Sequence, residues 1–138
     1  MNLSFEEQVL INARFLLSDK SAWHKKWTAA DKNGKALPHS SMAAVKFCLL
    51  GATFRSAEEL LGPKVAPGRV GKIGRSLRNY MDKIVEIGLE SGELAVSKTT
   101  PHHDPFCVAF NDSKKTTHED VLRFLDLAIE MLPTTSAK

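Results

Sequence analysis

The chain has 138 residues, 43% hydrophobic and 25% charged, with a formal net charge of +3. This is ordinary globular composition and excludes the disordered, fibrous and strongly basic nucleic-acid-coating classes. Its length suits one domain whose core needs neither metal nor disulfide. The opening MNLSFEEQ carries acids where a secretory leader carries basic residues, and no apolar run reaches bilayer-spanning length. The expectation is a cytoplasmic protein without membrane contact, its two cysteines reduced and buried in apolar runs.

In chain order, Ser4 with Glu7 three residues on predicts a capping box and a helix to about Leu17. Phe5, Val9, Leu10, Ala13, Leu16 and Leu17 form the face that another element must cover. In SAWHKKWTAADKNGKAL, Trp23 and Trp27 share a face if the segment makes a helical turn, and Asn33-Gly34 predicts the tight turn of a short hairpin. Ser40-Ser41 predicts a serine-capped, nearly all-buried helix over MAAVKFCLLGA, with Cys48 in its middle. Gly51 there either ends the helix or lets a neighbouring backbone come close.

Ser56 with Glu59 predicts a second capping box for a short helix ending at Gly62, before a loop marked by Pro63 and Pro67. Val70, Ile73, Leu77, Tyr80, Met81, Ile84 and Ile87 fall within a sector of roughly 120° and predict an amphipathic helix to about Leu89. Segments 94–98 and 106–110 are rich in β-formers, are separated by a turn-like TTPHHDP, and predict two strands able to pair. Thr117 with Asp120 caps a last helix, after which Pro133 begins a polar tail. The expected fold is mainly α (α+β). It is a compact single domain over 1–132 of about five helices, with a short β-hairpin or two small strands and a mobile tail over 133–138.

The stretch GRVGKIGRSLRNY looks like the glycine-x-x-glycine loop with which KH domains clamp single-stranded RNA. Gly71 and Gly74 would let a phosphodiester approach the main chain, with Lys72 or Arg75 adding charge. Arg69, Lys72, Arg75 and Arg78 advance by three, so they fan around a polar face, which also describes a helix kept in solution by its charges.

Cys48, then His102 or His103, then Asn111 or Asp112 repeat the nucleophile, base and orienter order of papain-like enzymes. A thiol in mid-helix among apolar residues is the structural alternative, because a nucleophile needs an electropositive, open site or a helix N-terminus. His102, His103, Asp104 and Cys107, with His118 further off, are metal-ligand types at a spacing that matches no standard zinc pattern. Asn111-Asp112 equally suits the turn into the last helix, and Glu6, Glu7, Glu58, Glu59 and Glu119 suit first helical turns.

Three groups of residues carry a resemblance: Trp27, Ala29, Asp31 and Gly34; Cys48, Gly51 and Ala52; and Asn111, Asp112, Thr117 and Val121. In this pattern the chain resembles an uncharacterised family of short bacterial and phage proteins, over most of its length. Phe110 stands where that family often has Trp, and the basic stretch 68–78 lies outside the pattern. The resemblance implies a small, mostly helical domain and brings no established activity, cofactor or catalytic residue with it; the expected cofactor set is none. It also implies an accessory or host-interaction role.

The first functional reading is thus a non-enzymatic protein that binds a host protein through the basic helix face and the Pro-rich loop before it. The second is nucleic-acid binding through Gly71 to Gly74, and the third a cysteine-dependent hydrolase or transferase. The sequence leaves the oligomeric state open.

Overall fold

The computed structural model describes residues 4–26, 28–62, 67–92, 106–113 and 115–132. The first helix, α1 (Phe5–Leu17), starts as its sequence predicts, with Ser4 Oγ accepting from the Glu7 amide at 3.1 Å. The capping box is only half formed, because the Glu7 carboxylate makes no return bond to Ser4. Val9, Leu10, Ala13 and Leu17 are fully buried.

A single 3-10 turn, Lys20–Ala22, follows, and Trp23 then bridges Phe47 in extended conformation. Residues 23–26 therefore do not form the expected helical turn, and Trp27 itself lies outside the described residues. The hairpin is where Asn33-Gly34 places it. Strand β1 (Ala29–Ala30) pairs antiparallel with β2 (Ala36–Leu37), Gly34 has φ +85°, and the Asp31 carboxylate accepts from the amides of Asn33 and Lys35.

Segment 42–48 departs from the expected helix. It turns and enters β3 (Lys46–Phe47), which pairs antiparallel with β1 to give the order β2-β1-β3. The cause is tertiary: the other edge of β1 offers unpaired backbone groups, and Val45 and Cys48 donate to the carbonyls of Ala30 and Thr28. Arg55 then ties the loop down by donating Nη1 to the carbonyls of His39 and Ser41.

Helix α2 (Leu49–Leu61) consequently begins after Cys48, which is its N-cap and not a mid-helix residue. Gly51 occupies the first turn, where a Cβ would collide with the Thr28 carbonyl, so its role is close backbone approach. No new helix starts at Ser56, which is buried inside α2, and Glu58 and Glu59 belong to the last part of α2. Gly62, with φ +85°, ends the helix as expected.

Helix α3 (Pro67–Ser91) confirms the long amphipathic pattern, burying Leu77, Met81, Ile84 and Val85, while Ile87 is exposed. Gly74 lies where a side chain would overlap the Phe54 ring of α2. Residues 106–112 form a helix, α4 (Phe106–Asp112), and not a strand. A three- and four-residue spacing brings Cys107, Phe110 and Asn111 to one buried face, and the Asp82 carboxylate accepts from the Cys107 amide at 2.9 Å. Segment 94–98, the other expected strand, and the tail 133–138 lie outside the described residues.

Helix α5 (His118–Glu130) carries the full Thr117–Asp120 capping box. All five described α-helices contribute to one apolar cluster, so the fold is mainly α with a small three-stranded antiparallel sheet.

The two packed glycines differ in what they meet. Gly51→Ala should lower the unfolding free energy by about 3 kcal/mol, because the Thr28 carbonyl, just before β1 and already held by the Cys48 amide, has no room to retreat. Gly74→Ala should cost less than about 1 kcal/mol, since the Phe54 ring can turn aside and alanine favours the helix. Urea unfolding of both variants checks this, and equal midpoints would refute the backbone contact.

Candidate functional site

Two places on this frame gather most of the described residues singled out by sequence: the N-terminus of α2 and the outer face of α3. At the first, Asn111 is fully buried on α4, with its amide turned toward α2. Its Oδ1 accepts from Trp23 Nε1 at 2.7 Å and from the Leu49 amide at 3.0 Å. Its Nδ2 donates to the His24 carbonyl at 3.1 Å and to Asp112 Oδ1 at 2.9 Å. The same Asp112 oxygen accepts from the Lys26 amide at 2.9 Å, at the one non-glycine residue with positive φ among those described. Lys25 Nζ reaches the Ser113 carbonyl at 2.7 Å.

This node clamps segment 23–26 onto α4 and caps α2. Asn111-Asp112 thus organise distant chain, and not the turn into α5 as expected; that turn is held by Thr116, whose Oγ1 donates to the Phe110 carbonyl.

Cys48 sits beside this node, with Sγ accepting from the Gly51 amide at 3.3 Å. A helix N-terminus ordinarily acidifies a thiol. Here burial dominates and pushes the Cys48 thiol from 9.0 up to about 11, and only 4% of the residue is exposed. The predicted base, His102 or His103, lies outside the described residues, as does Asp104. The histidine nearest in the network is His24, whose Nε2 is buried and unpartnered, and no hydrogen bond joins it to Cys48. Burial chiefly, then Lys46, lowers the His24 pKa. The arrangement opposes nucleophilic chemistry at Cys48.

The metal candidates do not converge among the described residues, where no group of three ligand types forms. Cys107 is buried, and burial together with Asp82 raises its pKa. His118 uses Nε2 as a donor to the Leu17 carbonyl at 2.6 Å, since a carbonyl can only accept. Sequence reasoning missed one half-buried pair: His39 Nδ1 lies 2.7 Å from Glu58 Oε1, with the imidazole stacked on Phe54. Nothing in the spacing of residues 39 and 58 announces it, because the loop is folded back onto α2 by tertiary contacts, the Arg55 bonds to the His39 and Ser41 carbonyls among them.

On α3, Gly71 and Gly74 are helical, so the loop that would cradle a phosphate is not formed. Gly74 faces α2, and Gly71 leaves room for the Arg75 guanidinium to fold over it. Arg69, Lys72 and Arg75 are exposed and Arg78 is half-buried; with Lys83 they line the first two-thirds of the helix, and none has an ion-pair partner among the described residues. Exposed Glu86 and Glu90 follow. No described helix is long and apolar enough to cross a membrane.

A family of unknown function, DUF6197, matches residues 6–131, which takes in the node, the hairpin and every helix in whole or in large part. The chain belongs to DUF6197. No curated protein and no solved structure matches it. Membership in DUF6197 accords with the expected resemblance to an uncharacterised family and brings no activity to either site.

Asn111→Ala should strand the Trp23 and Leu49 donors together and cost about 3 kcal/mol, read by urea unfolding with the Trp fluorescence of the native baseline shifted. Alkaline pH should weaken the fold through Cys48. The folded pKa lies above the unfolded one, so stability is whole below pH 9.0 and falls as pH rises toward about 11. Cys48→Ser should flatten that part of the pH–stability curve, and an unchanged slope would contradict the assignment.

Proposed function

We propose that the protein acts by binding, not by catalysis, and that the basic N-terminal part of α3 docks an acidic surface on a partner protein. This is an accessory or host-interaction role of the bacterial or phage kind. One observation carries the reading: the charge order of α3 runs against its own macrodipole. In α1 the first turn holds Glu6 and Glu7 and the last holds Arg14, and α5 opens on Glu119 and Asp120. Both complement the helix ends. Helix α3 has Arg69 in its first turn with no acid, and Glu90 in its last with no base. Charges that only kept the helix in solution would do so in either order, and this order costs about 0.3–1 kcal/mol at each end. The fold gains nothing from it, so the cations answer to something outside the fold.

A protein partner fits better than a nucleic acid. The cations span about 20 Å of helix, after which Glu86 and Glu90 would repel a continuing polyanion. The aromatic residue of this stretch, Tyr80, donates its hydroxyl to the Ala128 carbonyl and is turned from the basic face, which leaves no stacking platform there.

Fluorescence anisotropy with a labelled Glu/Asp-rich peptide, single-stranded RNA and duplex DNA, each across a salt series, tests this. The peptide should bind, and simultaneous alanine at Arg69, Lys72, Arg75 and Arg78 should weaken it at least about tenfold. Arg69→Glu should bind more weakly yet unfold at higher urea, by about 0.5 kcal/mol. Peptide binding untouched by the fourfold variant sinks the proposal. Tighter, more salt-sensitive binding of RNA or DNA transfers the site to nucleic acid.

A further inference from the structure

The outer face of α1 leaves two large apolar side chains, Ile11 and Phe15, exposed. Viewed at 100° per residue, Gln8, Ile11 and Phe15 fall within about 60° of one another, on the side opposite buried Ala13. Phe15 is 78% exposed and Ile11 39%. Ser4 and Ser18 continue this stripe at the helix ends, so it reads 4, 8, 11, 15, 18, alternating steps of four and three, the spacing of a seam between two helices. The stripe itself carries no charge.

Charge occurs on one flank only. Glu7 and Arg14 are seven residues apart, which places them within about 20° of one another and about 10 Å apart along the axis. Both have unused capacity. The Glu7 carboxylate, free of the capping box, has no partner among the described residues. Arg14 gives Nε and Nη2 to Asp126, at 2.7 and 3.4 Å, which leaves Nη1 without a described acceptor.

A flank with one acid and one base at this spacing complements itself only when a second copy runs the opposite way. In an antiparallel pair the same flanks face each other, so Glu7 meets Arg14 and Arg14 meets Glu7 about a twofold axis beside Ile11. We propose that α1 joins two copies of this chain in an antiparallel homodimer. In it Phe15 covers the neutral Gln8–Ile11 stretch of the other copy, and two ion pairs link Glu7 to Arg14 of the partner subunit. The contact is isologous, so it closes at two copies. It goes beyond the α3 reading and is independent of it: α1 packs on α2 and α5, while α3 packs on α2, α4 and α5. A single helix pair falls short of the roughly 1,200 Å² of a standard specific interface, so the dimer dissociates on dilution.

Sedimentation equilibrium over a wide range of concentration tests this on the full chain, with circular dichroism to confirm that each variant is folded. Wild type should shift from monomer to dimer, and Phe15→Glu should remain monomeric at every concentration. Glu7→Lys alone sets a cation against a cation at both pairs, and Arg14→Glu alone sets a carboxylate against a carboxylate, so each should self-associate at least about tenfold more weakly. Mixed together, the two variants relieve the repulsion: cations on one copy face carboxylates on the other at both pairs. The mixture should form a heterodimer at least as readily as the wild type forms its homodimer. A monomeric wild type overturns the proposal. So do single variants that dimerise unchanged, or a mixture that does not associate.

Discussion

The side-chain amide of Asn111 joins α4 to the segment after α1 and to the start of α2. Its four hydrogen bonds go to Trp23, Leu49, His24 and Asp112, three of them more than sixty residues away in sequence. An amide has two donors and an acceptor oxygen with two lone pairs, and here each is used. In a buried site such a network is stable only when complete, because any stranded donor keeps its full desolvation cost. The oxygen takes one of the orphan amides at the start of α2, the nitrogen holds the strand-like segment that bridges Phe47, and α4 is thereby fixed against both. The pairing of β3 with β1 places the start of α2 beside this group, and Asn111 then holds the Leu49 amide next to the seat of Cys48.

That seat illustrates how two opposing effects on a thiol are resolved. Cys48 has the helix N-terminus that nucleophilic cysteines exploit, and its sulfur accepts an amide hydrogen bond there. Both favour the thiolate. Burial among Leu49, Leu50 and Phe47 works the other way and prevails, since water is the main stabiliser of a small anion and none of its surface is spare. The sulfur acts as a capping atom, neutral at physiological pH.

The surfaces are as differentiated as the core. Helices α1 and α5 obey their dipoles at the first turn, and α3 reverses the order at both ends. The outer stripe of α1 is uncharged, with Ile11 and Phe15 exposed on it, and is flanked by one acid and one base, while the outer face of α3 is basic and then acidic. In our proposals the first meets its own copy and the second an unlike partner. A homodimer through α1 would then present two α3 faces, and a divalent partner surface would be held more firmly than either face alone could hold it.

Features set by near neighbours were legible in the chain. The Ser4, Thr117 and Gly62 boundaries, the Asp31–Gly34 turn, the apolar stripe of α3 and the mainly α class each depend on residues within one or two turns of each other, where hydrogen-bond reach and helical period leave few alternatives. The basic fan on α3 was legible for the same reason, as was the burial of both cysteines. Tertiary structure decided the segments whose local preferences were ambiguous. An apolar run such as MAAVKFCLLGA suits a helix or a strand, and the free edge of β1 made its first part a strand and Cys48 a cap. FCVAF reads as strand by composition, yet the Asp82 carboxylate and the Asn111 node hold it as a helix. The partners of Asn111, of His39 and of Gly51 come from chain well beyond helical reach, so no spacing rule could pair them; only the folded backbone brings the Thr28 carbonyl to Gly51 and the Leu49 amide to Asn111.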